Sequence, residues 1–306
     1  MKKVLIYSPG SFDIEVLQNI ILFYSNLGFI CSICYGRIQK KYKVSRFIYL
    51  RDSIEENYLN MVDSEICDVF DYSKTIDDNS LFCISNYFNT VNYISLTKPL
   101  IDIKFNYIKA YHPVVTNLWV KQIVKKDIGL IYIGSRKSSI RLNEDDIIYK
   151  EFENLLFNKY RNGDISVFGN GWIGLDRRIS KLNMSKVALF YSNSKSALGV
   201  LWDIQRYKTL NSRYFYAPLN GCLLFCEENS NLLDVPGVFG YSEMLNKLDN
   251  FGIEQSKDLQ SKAIAFWNNE NKNLISQLSL REKSLFFIGL YNNILSFFIN
   301  SYFKFK

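Results

Sequence analysis

The chain has 306 residues, 48% of them hydrophobic, with a formal net charge of +7 and a sequence pI of about 8.9. That length fits about two domains, and the apolar content excludes a globally disordered chain. The positive balance suits anionic partners such as nucleotides, phosphorylated lipids or nucleic acid. Of six cysteines only Cys31 and Cys34 form a CxxC, and with no second pair and a lone histidine no zinc site is expected.

In chain order, "KKVLIYSPGS" reads as an apolar strand running into a loop with Gly10 and Ser11. The apolar run is too short for a signal peptide and stops at Pro9-Gly10, so the expected location is the cytoplasm. "FDIEVLQNIILFYSNLG" places Phe12, Val16, Ile20, Phe23 and Leu27 at helical spacing and closes on Gly28. "FICSICYG" follows as a second strand. Its Cys31 and Cys34 lie three apart, on opposite faces of a strand, whereas a redox pair would sit at a helix start. All six cysteines therefore read as buried or free thiols in a reducing compartment. This β-loop-α-β opening is the usual start of a doubly wound parallel sheet, although a complete GxGxxG is absent.

Residues 36–80 look polar and irregular, with a helix expected around Ser53–Asp63. The short apolar runs Ser80–Asn86, Asn92–Thr97 and Asn106–His112 fit strands. "HPVVTNLWVKQIVKKD" then reads as an interdomain linker: Pro113 breaks the pattern, and Lys121, Lys125 and Lys126 are expected to be exposed. A second α/β block follows. "IGLIYIGS" is a strand, and "LNEDDIIYKEFENLLFNKY" a helix with an acidic first turn. "DISVFGNGW" is a strand into a glycine turn, and "SKVALFYS" a strand or a short buried element. "SRYFYAPLN" is a helix and "GCLLFCEE" a strand. "YSEMLNKLDNF" and "SKDLQSKAIAFWNNENKNLISQL" are helices. The tail "SLFFIGLYNNILSFFINSYFKFK" is too interrupted by Asn and Ser to span a bilayer. It reads as a helix packed on the protein itself. The alternative is a peripheral membrane contact, with Lys304 and Lys306 near the headgroups.

Ligands of parallel sheets bind beyond the carboxyl ends of the strands, and three junctions of the second block carry suitable groups. Past one strand stand Ser135, Arg136, Lys137 and Arg141, whose guanidinium forks and loop N–H groups suit a pyrophosphate. Past the next stand Gly169, Asn170, Gly171 and Trp172, where small glycines permit close backbone approach and the indole could stack on a base. Arg213 begins a helix, and Gly221 closes it before a strand.

The ordered segments "DIGLIYIGSRKSSIR", "DISVFGNGW", "KVALFYSNS" and "NSRYFYAPLNGCLLFCEE" resemble the C-terminal half of GT-B glycosyltransferases, most closely the spore-maturation-type group. "AYHPVVTN" is similar to the linker that precedes that half. The resemblance covers roughly Tyr111–Glu228. It implies an α/β GT-B fold: two Rossmann-like domains facing a central cleft, with a C-terminal helix returning to the first. The implied limits are 1–115 for an acceptor domain, 116–275 for a nucleotide-sugar domain and 276–306 for the returning helix. It further implies sugar transfer from a nucleotide sugar to a glycan or lipid-linked acceptor, in polysaccharide or glycoconjugate synthesis. By the same resemblance Arg213 faces the donor diphosphate. Tyr216 stands where the family has a glutamate toward the ribose, and a phenol cannot accept two hydroxyl protons as a carboxylate does. The alternative is therefore a non-catalytic nucleotide- or glycan-binding protein on a degenerate GT-B fold, unless Glu227 or Glu228 substitutes.

With Arg136, Lys137, Arg141 and Arg213 to meet a leaving diphosphate, no metal and no cofactor beyond the nucleotide sugar are expected. Inverting transfer would need a base near the acceptor hydroxyl. Asp13, Glu15 and His112 are the candidates, although Asp13 also suits a helix cap and a lone histidine beside proline suits a structural role. Because the basic residues look scattered in sequence, no nucleic-acid partner is expected.

Overall fold

The computed structural model describes residues 2–8, 14–35, 37–50, 56–71, 78–96, 105–134, 147–169, 184–199, 212–227 and 233–280. The chain divides into two compact units. The first comprises Met1–Val115, Tyr207–Leu210 and Asn268–Lys306, and the second Thr116–Arg206 and Asn211–Trp267.

In the first unit the elements are β1 (Lys2–Ser8), α1 (Ile14–Asn26), β2 (Phe29–Tyr35), β3 (Tyr42–Lys43), β4 (Arg46–Tyr49), α2 (Glu56–Leu59), β5 (Val62–Asp63), β6 (Ile66–Phe70), α3 (Asp78–Tyr87), β7 (Thr90–Ser95) and β8 (Asn106–Lys109). Six strands form one parallel sheet in the order β2-β1-β4-β6-β7-β8, and β3 pairs with β5 in a small separate ribbon. The apolar run Val4–Tyr7 is buried because a parallel strand is covered on both faces. Helix α1 is buried from Val16 to Ser25, which explains its largely apolar sequence. Its polar Asn19 is not wasted: Oδ1 accepts the Val115 N–H at 2.7 Å and Nδ2 donates to the Glu15 carbonyl at 3.0 Å.

Two expectations fail here. Residues 36–80 contain two central strands, β4 and β6, and of the helix expected over Ser53–Asp63 the described part, from Glu56, is helical only to Leu59. Ser80–Asn86 is helical, not a strand: within and just after α3, Leu81, Ile84 and Phe88 are buried at helical spacing.

Strands β4 and β6 escape a hydrophobicity reading because each carries a charged residue that the other neutralises. Arg46 Nη1 donates to both carboxylate oxygens of Asp68, at 2.6 and 2.7 Å. Tyr24 Oη and Asn92 Nδ2 donate to the same carboxylate, each at 2.6 Å. Burial, and then the Asp68 charge, push the Tyr24 phenol well above its usual range. Arg46 Nη2 also reaches the Leu278 carbonyl at 3.4 Å.

The second unit contains a 3-10 turn at Thr116–Leu118, then β9 (Ile128–Ile133), α4 (Ile147–Arg161), β10 (Ile165–Phe168), α5 (Met184–Asn193), β11 (Ser194–Leu198), α6 (Arg213–Leu219), β12 (Leu223–Cys226), β13 (Val238–Gly240), α7 (Met244–Leu248) and α8 (Ile253–Gln277), which runs on past the limit of the unit. Its sheet is parallel throughout, in the order β10-β9-β11-β12-β13. The run read as the strand "SKVALFYS" is helix α5. The strand is β11, "SKSAL", which follows it. Buried Ser194 and Ser196 are tolerated at the centre of the sheet because their hydroxyls donate to the carbonyls of Phe190 and Gly129.

Lys126, expected in solvent, is half-buried. Its ammonium lies 2.6–3.4 Å from the carbonyls of Tyr191, Ser194, Asn220 and Gly221. A cation there meets the negative ends of α5 and α6 together, while burial pulls its pKa down to about 8. The returning helix expected over 276–306 lies outside the described residues beyond 280. Among the described residues, no helix is long and apolar enough to cross a membrane.

Removing one partner of a buried ion pair leaves the other charge without compensation, at about 3–5 kcal/mol. Asp68→Ala is therefore expected to lower the urea midpoint by that equivalent, and Arg46→Met/Asp68→Leu together by much less. Equal losses in the single and double variants would show that the pair is not the source.

Candidate active site

In the second unit, β10 lies on one side of β9 and β11 on the other. Connections leaving the carboxyl ends of β9 and β11 therefore part in opposite directions and open a crevice between them. The first residues past these two strands are Gly134 and Gly199. Arg213, at the start of α6, extends its side chain to this point. Its Nη2 donates to the Ile133 carbonyl at 3.2 Å, and the guanidinium carbon stands 5.3 Å from the Tyr132 ring centroid, within cation–π range.

The glycines are needed for this seat. A Cβ on Gly134 would fall 2.7 Å from both Arg213 Nη2 and Tyr132 Oη, and one on Gly199 would sit 3.6 Å from Arg213 Cδ. Gly199 is held on both sides: its N–H donates to the Phe225 carbonyl at 2.7 Å, and its own carbonyl accepts the Tyr241 hydroxyl. Burial pushes the phenols of Tyr132, Tyr191, Tyr214 and Tyr241 upward, so all four are neutral around the permanently charged guanidinium. Glu227, the first residue past β12, is buried at the same edge. After burial itself, its charge is the next largest influence raising the Tyr241 phenol.

The first unit repeats the plan. β2 and β4 flank β1, so its crevice opens past Ser8 and Leu50. Along this edge Asp71 follows β6. Its N–H donates to the Ile94 carbonyl at 3.1 Å, and its Oδ2 accepts the Tyr93 hydroxyl at 2.5 Å. Asp71, Ser8 and Ser95 are all buried.

Of the residues singled out in sequence, Arg213, Gly169 and Glu227 are described at the carboxyl edge of the second sheet, just past or reaching past β9, β10 and β12. Gly10, Ser11, Asp13, Ser135, Arg136, Lys137, Arg141, Gly171 and Trp172 lie outside the described residues. Tyr216 is 1% exposed and walled in by the rings of Trp119, Phe215 and Tyr191, at centroid distances of 4.8, 4.9 and 6.4 Å. It is an interior side chain rather than an edge group. Gly221 lies at the amino end of β12, opposite Arg213. Its φ of +61° ends α6, and a Cβ there would meet the Ser256 carbonyl oxygen at 2.4 Å. Glu15 sits half-buried in the first turn of α1. His112 is buried, and desolvation lowers its pKa to about 3, far below what a base at neutral pH requires. Sequence reading missed Tyr132, Asp71 and Tyr241. The one available signal was a polar residue placed directly after an apolar strand, as in "ICDVFD".

Two parallel sheets of this order are the α/β class expected from the sequence, and the solved structures similar to the chain have the GT-B fold. No protein-family model and no curated sequence matches the chain. Among solved structures, the chain is similar to the T4 phage beta-glucosyltransferase, at TM-score 0.54 and 12% identity, covering 91% of this chain and 100% of that one. It is likewise similar to AviGT4, a glycosyltransferase involved in Avilamycin A biosynthesis, at TM-score 0.52 and 12% identity, over 90% of this chain and 97% of that one.

Two outcomes test this geometry. Gly134→Ala should cost about 1–3 kcal/mol by urea unfolding, as overpacking does. Gly129→Ala, where a Cβ meets nothing within 4 Å, should not; equal effects would mean that Arg213 does not depend on Gly134. For His112, the unfolded imidazole takes a proton near pH 6.5, while the folded one waits until about pH 3. Stability is thus fully present above pH 6.5 and falls as pH drops toward 3, by about 1.4 kcal/mol per pH unit from this group. Urea midpoints between pH 6.5 and 5 should show that slope, and His112→Gln should flatten it.

Proposed function

We propose that the chain is a glycosyltransferase that moves a sugar from a nucleotide-activated donor, bound by the second unit, to an acceptor hydroxyl. The observation that carries this reading is the seat of Arg213 at the switch point of a GT-B sheet. A departing nucleoside diphosphate gains negative charge as the glycosidic bond breaks, and a pre-oriented guanidinium stabilises that charge without reorganising. In this reading Arg213 serves the diphosphate with no metal. Glu227 offers the carboxylate that a ribose diol requires, because Tyr216 is enclosed. Asp71, oriented by Tyr93, takes the proton of the acceptor hydroxyl. The likeness to a phage enzyme solved with its UDP-glucose substrate makes a UDP-sugar the first donor to try. By their names, the similar enzymes serve different ends: one belongs to Avilamycin A biosynthesis and one is a DNA modifying enzyme.

Thermal melting with UDP, GDP, ADP, dTDP and CMP tests the donor site, since a ligand of the folded state raises Tm. One nucleotide should raise Tm, and Arg213→Ala and Glu227→Gln should each reduce its affinity by about tenfold or more, the loss of a charge-assisted hydrogen bond. Asp71→Asn should keep the shift and lose transfer of a labelled sugar, and EDTA should leave transfer intact. Absence of any nucleotide shift in the parent protein would sink the reading.

A further inference from the structure

Between Val16 and Arg51 the sequence holds no acidic residue and six basic ones: Arg37, Lys40, Lys41, Lys43, Arg46 and Arg51. Arg46 is consumed by the buried pair with Asp68. Arg37, Lys40, Lys41 and Lys43 are exposed. They stand on the segment that leaves the carboxyl end of β2 and returns to the amino end of β4.

This segment is a strap fixed to the first unit. Ile38 is buried in the core, Tyr42 and Val44 pack against it, and β3 pairs with β5. The Ser45 N–H donates to the Lys3 carbonyl at 2.8 Å, and the Lys3 N–H to Ser45 Oγ at 3.3 Å. Those bonds bring exposed Lys2 and Lys3 to the foot of the strap. Lys40 stands 5.4 Å from the Tyr42 ring centroid. On the other side of the balance, Asp63 meets Lys43 at 3.8 Å with both side chains largely in solvent, and Glu65 is exposed two residues on. Asp63 thus offsets the charge of Lys43, and the surplus positive charge rests on Arg37, Lys40, Lys41, Lys2 and Lys3. Arg37, Lys40, Lys41 and Lys43 already cluster within seven residues of sequence, and the fold adds Lys2 and Lys3 to them.

We propose that this strap binds the sugar–phosphate backbone of a nucleic acid. A row of exposed cations beside a half-buried aromatic ring suits a phosphate backbone. None of the large exposed apolar side chains among the described residues lies on the strap, so it lacks the anchor that would favour insertion into a bilayer. This binding does not depend on the transferase reading above.

Fluorescence anisotropy of the full chain with labelled single-stranded and duplex oligonucleotides, titrated with salt, tests the proposal. Affinity should fall linearly on log–log axes with salt, by a slope of about −0.9 for each phosphate neutralised. Lys40→Glu/Lys41→Glu/Lys43→Glu should make the slope shallower by about 2 or more and weaken binding by about tenfold or more. The milder triple Gln variant should do so in part, and a Tm check confirms folding. An equal charge reversal on exposed lysines of the second unit, Lys186→Glu/Lys257→Glu/Lys262→Glu, should change affinity far less. The strap variants should keep the nucleotide-induced Tm shift, which separates failure here from failure of the donor reading. No binding at low salt, equal losses in the strap and control variants, or a strap that loses binding to phosphatidylserine vesicles but not to oligonucleotides would each overturn the proposal.

Discussion

A parallel sheet has one carboxyl edge, and in both units the strand order reverses beside the first strand. That reversal is the constraint on which the rest depends, because it sends the connections of neighbouring strands in opposite directions and opens a crevice at the carboxyl edge. In the second unit the crevice lies between Gly134 and Gly199, and the start of α6 brings Arg213 to it. The surrounding phenols pack tightly and remain neutral, so they fix the guanidinium without quenching it. The geometry is economical: one glycine makes room, one carbonyl and one ring face set the direction, and the charge stays at the edge.

Cations in this protein are sorted by what compensates them. Arg46 enters the first sheet because Asp68, itself held by Tyr24 and Asn92, meets it there. Lys126 enters the second unit on carbonyls alone, where two helices end. Arg213 takes an intermediate position, part-buried at an edge. The strap from Arg37 to Lys43 remains in solvent. A net charge of +7 therefore does not describe a uniformly basic surface: among the described residues some cations are interior braces, one is a candidate catalytic group and others line an exposed strap.

Much of the architecture was legible in the sequence, and the failures share a cause. β1, α1, β9, α6 and β12 follow from apolar periodicity, since each buries a face against its own unit. β4, β6 and β11 did not, because they carry Arg46, Asp68, Ser194 and Ser196, and the partners that make those residues acceptable come from distant segments. The apolar runs in α3 and α5 suggested strands because short buried segments of either type look alike. The spacing of Leu81, Ile84 and Phe88 was the available correction.

For the site, the sequence by itself determined that an arginine begins a helix between two apolar strands and that a glycine ends it. Both follow from local chemistry: the residue at a helix start and the left-handed turn at Gly221. Only the tertiary structure decided that Arg213 lies at the switch point and Gly221 at the far edge. It likewise turned Tyr216 inward, withdrew His112 from acid–base chemistry and brought Lys2 and Lys3 to the foot of a basic strap. Those outcomes depend on strand order and burial, which join residues far apart in the chain and leave no periodic trace in the sequence.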